Sequence, residues 1–197
     1  MTQHPTASPL EAAALLFDCD GTLVDSMGLH RLVWTELFAR YDFEVTDEWW
    51  EEYANVALYP FVQGVVPDAD TTLADQLNIE ATALFVERLH LIEPLEHVVD
   101  VARSNHGRLP LAVVTGGYRD VVAPMLEAVG IAGLFDVMVT ADDVTHSKPA
   151  PDLYARAAAI LGVDPAACVA YEDSDIGIAS ARGAGIGRVV DIRDWPS

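Results

Sequence analysis

Basic side chains are scarce: 11 Lys and Arg stand against 31 Asp and Glu, a formal net charge of -20. Nucleic acid and anionic lipid surfaces are held by clustered Lys and Arg, so this balance argues against both as partners. Cysteine is nearly absent. Only Cys19 and Cys168 occur, in or beside predicted buried strands, so there is no disulfide framework and both read as small core residues. Long apolar runs are missing as well. Leu10 to Phe17 is too short, and too soon followed by acids, to be a signal or spanning helix, and Met1 to Pro9 has no basic region. A cytoplasmic protein is expected.

What is present is a globular composition, 197 residues with 51% hydrophobic content, enough for one sizeable core or for a core with a modest insert. Residues 1–9, with two prolines and small polar side chains, read as a flexible tail. Strand one is predicted at about 14–18. From 27 to 92 the pattern turns helical, with segments at about 30–38, 47–57, 70–78 and 80–92, broken around Pro60 to Pro67. Beyond Pro94 the reading is a helix at 95–104, strand two at 110–115 and a helix at 120–129 that Pro124 must bend or delay. Strand three at 135–140, an Ala-rich helix at 152–161 closed by Gly162, strand four at 168–171, a helix at 176–182 and strand five at 188–191 complete the chain. Strands alternating with helices imply an α/β fold: a Rossmann-like, five-stranded parallel sheet from 10–26 and 93–197, with a helical cap, 27–92, inserted after strand one. Ligands in such sheets sit beyond the carboxyl ends of the strands.

Strand one ends in Leu16-Phe17-Asp18-Cys19-Asp20-Gly21-Thr22. Alternation lets Asp18 and Asp20 address one space while Cys19 points away, and Gly21 lets the chain leave sharply. Two acids so close repel unless a cation lies between them, and a hard divalent metal is the usual answer. Asp-x-Asp alone fits a solvated strand end. With the apolar run before it and Gly-Thr-Leu after it, a phosphoryl-transfer site is the better reading.

Three other strand or loop ends carry polar clusters. Thr115-Gly116-Gly117 closes strand two and offers backbone N–H groups to an anion, or is a plain turn. Lys148, between Ser147 and Pro149, either faces solvent or neutralises a nucleophile and a phosphoryl oxygen together. Glu172-Asp173-Ser174-Asp175 supplies further carboxylates. Ser174 or Asp175 suits a helix cap, whereas Glu172 and Asp173 suit a metal site begun by Asp18.

Taken in order, Asp18-x-Asp20-Gly21-Thr22, Thr115, Lys148 and Glu172-Asp173 resemble the four motifs of the haloacid dehalogenase superfamily, over almost the whole chain. The insert is similar to the helical cap of its β-phosphoglucomutase branch. Glu93-Pro94-Leu95, Asn105 to Arg108, Phe135 to Lys148 and Tyr171 to Ile178 resemble bacterial fructose-1-phosphate phosphatases. The resemblance implies that Asp18 is the nucleophile in an aspartyl-phosphate route and Asp20 the acid and base. It implies that Thr115 and Lys148 hold the phosphoryl group, with Gly116 and Gly117 at the substrate. It implies Mg2+ on Asp18, the Asp20 main-chain carbonyl, Asp173 and Glu172, with the cap closing over a small phosphorylated metabolite.

A mutase of that branch needs a second cationic pocket for a bisphosphate, usually a cap arginine. Between Arg40 and Arg88 the sequence has no Lys, Arg or His, which favours hydrolysis unless Arg31, Arg40 or Arg88 swings in from a helix flank. His30 matches a cap-hinge histidine of the mutase branch, or is a helix-surface histidine. Trp49, Trp50, Tyr53 and Tyr59 stack on a sugar or form the core of the cap, the latter being preferred. A phospho-acceptor receiver domain uses similar residue types, but there the acidic pair comes first and the lysine last. A dehalogenase needs neither Asp20 nor a metal.

Overall fold

The computed structural model describes residues 12–53 and 58–195. The expected tail lies outside these residues, as do the last four of the helix expected at 47–57. In chain order the elements are β1 (Ala14–Phe17), β2 (Val24–Asp25), α1 (Met27–Phe38), α2 (Asp47–Tyr53), α3 (Leu58–Gln63), α4 (Thr71–Glu87) and β3 (Glu93–Pro94). There follow α5 (Glu96–Asn105), β4 (Leu111–Val114), α6 (Arg119–Ala128), β5 (Val137–Val139), α7 (Asp152–Leu161), β6 (Cys168–Glu172), α8 (Asp175–Gly183) and β7 (Arg188–Asp191). By its contacts the chain divides into two compact units, Ser26–Leu91 and the described residues of Met1–Asp25 with Ile92–Ser197. No helix among the described residues is long and apolar enough to cross a membrane.

The larger unit is built on a five-stranded sheet in the order β5-β4-β1-β6-β7, every neighbouring pair parallel. This is the α/β, Rossmann-like arrangement the sequence predicts. The inner strands β1, β4 and β6 are buried along their whole length, as expected of strands covered on both faces. Alternation sorts their side chains. Ala14 and Leu16 of β1, Ala112 and Val114 of β4, and Cys168 and Ala170 of β6 join one core with Leu153, Tyr154, Ala157 and Ala158 of α7. On the other parity Phe17 stacks on Tyr171 with ring centroids 4.8 Å apart, and Phe135 meets Phe17 edge-on at 5.9 Å. Each fully buried aliphatic or aromatic side chain contributes about 1.5–3 kcal/mol, so this double-sided packing fixes the strand register firmly.

Several boundaries differ from the expected ones. Residues 70–78 and 80–92 were expected as two helices; the structure has one, α4, capped by the Asp70 side chain on the Leu73 N–H, and then a 3-10 turn at Leu89–Leu91. No Gly or Pro lies within Thr71–Glu87, so nothing interrupts the backbone ladder there. Pro60 does not separate helices but sits in the first turn of α3, where a missing N–H is harmless. Pro124 lies inside α6 and does not delay its start at Arg119. Strand three is shorter than expected, Val137–Val139. A two-stranded antiparallel ribbon, Val24 with Pro94 and Asp25 with Glu93, is an addition too short for any periodicity to reveal.

Within Ser26–Leu91 the core is aromatic. Trp34, Phe38 and Phe61 pack together, and Trp49 is stacked on Tyr53 at 4.9 Å while meeting Phe38, Phe43 and Phe61. Trp49 and Tyr53 are therefore packing residues of this unit. Tyr59 is more exposed, and its hydroxyl accepts from the Gln63 amide.

Candidate active site

The site follows from the sheet register. β1 and β6 are parallel neighbours pairing Leu16 with Ala170 and Phe17 with Tyr171, and the Asp18 N–H still donates to the Tyr171 carbonyl at 3.1 Å. One step further along, Asp18 and Glu172 stand side by side on the α7 face, about one strand spacing apart. Two buried carboxylates so placed repel, and the structure supplies a cation between them. Lys148 Nζ donates to Asp18 Oδ1 at 2.5 Å and to Glu172 Oε1 at 2.6 Å. The Lys148 side chain is 6% exposed, which rules out the solvent-facing alternative.

Glu172 is fully buried and its oxygens are engaged. Oε1 also accepts from the Tyr154 hydroxyl at 2.6 Å, and Oε2 accepts from Ser174 Oγ at 3.2 Å. Ser174 in turn caps α8, accepting from the Gly177 N–H. Of the two cap candidates at this turn, Ser174 is the one used. A Cβ on Gly177 would fall 2.0 Å from Glu172 Oε2, so only glycine lets the first turn of α8 pass so close.

Asp173 accepts from the Thr22 hydroxyl at 3.1 Å. Gly21 turns at φ 76, and a Cβ there would lie 2.3 Å from Asp173 Oδ2, so the glycine serves both the left-handed turn and the close approach. Asp18, Glu172 and Asp173 each present a carboxylate oxygen, all within 4.8 Å of one another. A tight set of hard oxygen donors beside a strand end fits Mg2+. The Asp20 carboxylate is not part of that set. It lies toward the loop after β4, where a Cβ on Gly117 would come 3.6 Å from Asp20 Oδ2.

Thr115 is buried at the end of β4, and its Oγ1 accepts from the Gly117 N–H at 3.0 Å, which leaves the hydroxyl hydrogen to donate elsewhere. A Cβ on Gly116 would meet Ser147 Oγ at 3.2 Å, so the loops carrying Thr115 and Lys148 are adjacent. His30 belongs to the other unit, where its ring stacks on Phe85 at 4.3 Å.

The electrostatics reflect crowding of acids in a dry place. Burial pushes the Asp18 carboxyl well above the ordinary range; Lys148 pulls it back, while Glu172 and Asp173 add to the rise. Asp173 is raised by burial and then by Glu172. Burial alone would depress Lys148, but the Asp18 and Glu172 carboxylates outweigh it and hold the ammonium above its ordinary value. A bound divalent cation would relieve the carboxylates further.

Read from the sequence, Thr22, Tyr154 and Ser147 carry no role of their own in the site. Thr22 stands inside the first motif, and Tyr154 lies within the Ala-rich helix at 152–161. The only hint for Tyr154 is a hydroxyl on a buried helix face, which must find a partner.

Comparison with known proteins agrees with this geometry. Residues 12–185 match the family model described as haloacid dehalogenase-like hydrolase. The chain is 37% identical over 189 residues to fructose-1-phosphate phosphatase YqaB of Escherichia coli K12, covering 92% of this chain and 96% of that one. It is 32% identical over 182 residues to validoxylamine A 7'-phosphate phosphatase of Streptomyces hygroscopicus subsp. limoneus, covering 87% and 81%. Among solved structures, CbbY from Rhodobacter sphaeroides in complex with phosphate superposes with a TM-score of 0.81 at 28% identity, covering 91% and 86%. The motifs of Asp18, Lys148 and Glu172-Asp173 meet in one buried cluster, with the Thr115 loop next to the Lys148 loop, and on this sheet and with these relatives they place the chain in the haloacid dehalogenase-like hydrolase family.

Proposed function

We propose that the chain is a cytoplasmic, Mg2+-dependent phosphoric monoester hydrolase that releases phosphate from a small metabolite, a sugar phosphate such as fructose 1-phosphate. The observation that carries this reading is the Lys148 ammonium bridging buried Asp18 and Glu172 beside Asp173. Asp18, Asp173 and Glu172, with the main-chain carbonyl of Asp20, would hold Mg2+, which when bound offsets repulsion between the nucleophile and the phosphoryl oxygens.

The chain's own residues account for the steps. The Asp18 carboxylate attacks phosphorus, the bond to the ester oxygen breaks, and Asp20 gives its proton to the departing alkoxide. Asp20 then takes a proton from the water that attacks phosphorus, and the phosphate leaves with Asp18 restored. Thr115, through its hydroxyl hydrogen, and Lys148, through its remaining N–H, hold phosphoryl oxygens in line. Gly116 and Gly117 let the substrate approach the backbone closely.

Hydrolysis is favoured over a mutase reaction by the pairing of the arginines that border the cationless stretch. Arg31 pairs with Asp47, Arg40 with Glu80, and Arg88 with Glu36 at 2.8 Å, all within Ser26–Leu91. Recruiting one for a second phosphate means breaking such a pair in a unit rich in acid. The test is a screen of phosphorylated sugars and nucleotides with added Mg2+, reading free phosphate. Release that needs Mg2+ and is lost in Asp18→Asn supports the reading. Silence on every monoester, or release that survives chelator or Asp18→Asn, refutes it.

A further inference from the structure

Tyr154 is a buried titratable group that the mechanism above does not use. It lies on α7, is fully buried, and directs its hydroxyl at the same Glu172 Oε1 that receives Lys148. Its ring also lies against the lysine, with Lys148 Nζ 5.4 Å from the ring centroid. Glu172 is closed in on its remaining sides, by Ser174 Oγ at 3.2 Å and by the Gly177 backbone. The carboxylate therefore has one place to sit. An ammonium has three N–H donors. Lys148 spends one on Asp18 and one on Glu172, so the direction of the third is set by where those two acceptors stand.

We infer that Tyr154 is a positioning residue for the phosphatase reaction: its hydroxyl holds Glu172 so that Lys148 is fixed against Asp18 and aims its third N–H at the transferred phosphoryl group. A carboxylate oxygen that accepts from both a phenol and an ammonium draws less strongly on the ammonium than one that accepts from the ammonium alone. Without the phenol, Glu172 draws Lys148 toward itself and away from Asp18. The ground-state ester, held by several groups, loses little by this. The transition state, in which charge builds on the oxygens facing Lys148, loses more.

The inference rests on the phosphatase reading, and the experiment separates the two. Tyr154→Phe keeps every ring carbon and removes only the hydroxyl. With Mg2+ and p-nitrophenyl phosphate, the Phe variant should show kcat lowered about tenfold and KM within about twofold of wild type, the scale of one lost charge-assisted hydrogen bond. Mg2+ affinity, read by calorimetry without substrate, should stay within about twofold. Glu172→Gln should also lower kcat, and adding Tyr154→Phe to it should lower kcat no further, because the hydroxyl acts through that carboxylate.

An unchanged kcat in the Phe variant, a tenfold change in Mg2+ affinity, or losses that multiply in the double variant each overturn the inference. Failure of the Phe variant to fold assigns the hydroxyl to stability alone and overturns it too. A wild-type protein that turns over no monoester removes the phosphatase reading and this inference with it. Wild-type turnover matched by the Phe variant removes the inference alone.

Discussion

Replacing Lys148 with Met isolates the electrostatic bridge. The substitution keeps an unbranched chain of similar length and removes the charge that Asp18 Oδ1 and Glu172 Oε1 share at 2.5 and 2.6 Å. Both carboxylates are at least nine-tenths buried, so neither regains water easily. Removing one partner of a buried ion pair costs about 3–5 kcal/mol. For a protein of this length each kcal/mol lowers Tm by about 2–4 °C, so a drop on the order of 10 °C is expected in metal-free protein at pH 8.

The pH dependence has a definite sign. Asp18 is already raised by burial, and Lys148 is the neighbour that lowers it. Without the lysine its folded pKa climbs further above the unfolded value. Between those values the folded state binds more protons than the unfolded state, so stability falls as pH rises through the window. The deficit of Lys148→Met is therefore smaller at pH 5 than at pH 8. Thermal melts with chelator at both values measure it. A deficit under about 2 °C at pH 8, or one equal at both pH values, refutes the bridge as a source of stability.

Asp18→Asn should abolish phosphate release while keeping the fold, and circular dichroism with a phosphate assay checks both. Because the Asp18 carboxyl is raised in the folded state, the metal-free Asn variant should melt higher relative to wild type at pH 8 than at pH 5. Asp20→Asn should let the phosphorylated enzyme accumulate, visible in a quenched time course as acid-stable label on protein; rapid turnover without it refutes the proton-transfer role. Gly21→Ala places a Cβ 2.3 Å from Asp173 Oδ2 at a residue with φ 76. The Mg2+ concentration for half-maximal rate should rise at least tenfold, with stability lower by about 1–3 kcal/mol.

Much of the site was legible because its residues sit where the pattern changes. Asp18, Thr115 and Glu172 each follow an apolar strand, and a charge or hydroxyl at that point stands out. Lys148 stands out as a rare cation just before Pro149 and Pro151. Tyr154 was not legible, since a buried helix position looks the same whether its hydroxyl is used or idle until the neighbouring strand is placed. The side-by-side pairing of Asp18 with Glu172 depends on β1 lying next to β6, and a sequence does not state strand order. The join of 70–78 to 80–92 was missed because short apolar patterns suggest boundaries that only caps decide, and Asp70 is the cap that counts. The His30 contact with Phe85 likewise needed α1 and α4 packed together.

The ribbon of Val24–Asp25 on Glu93–Pro94 makes the whole excursion from Ser26 to Leu91 a hairpin loop as far as the sheet is concerned. Its two ends are tied about 5 Å apart by backbone pairing that belongs to the sheet-bearing unit. The entropy of closing such a loop rises by only about 0.6 kcal/mol for each doubling of its length. Evolution could therefore graft a longer, shorter or unrelated excursion onto those two stubs at little thermodynamic penalty, with Asp18, Thr115, Lys148 and Glu172 all outside the graft.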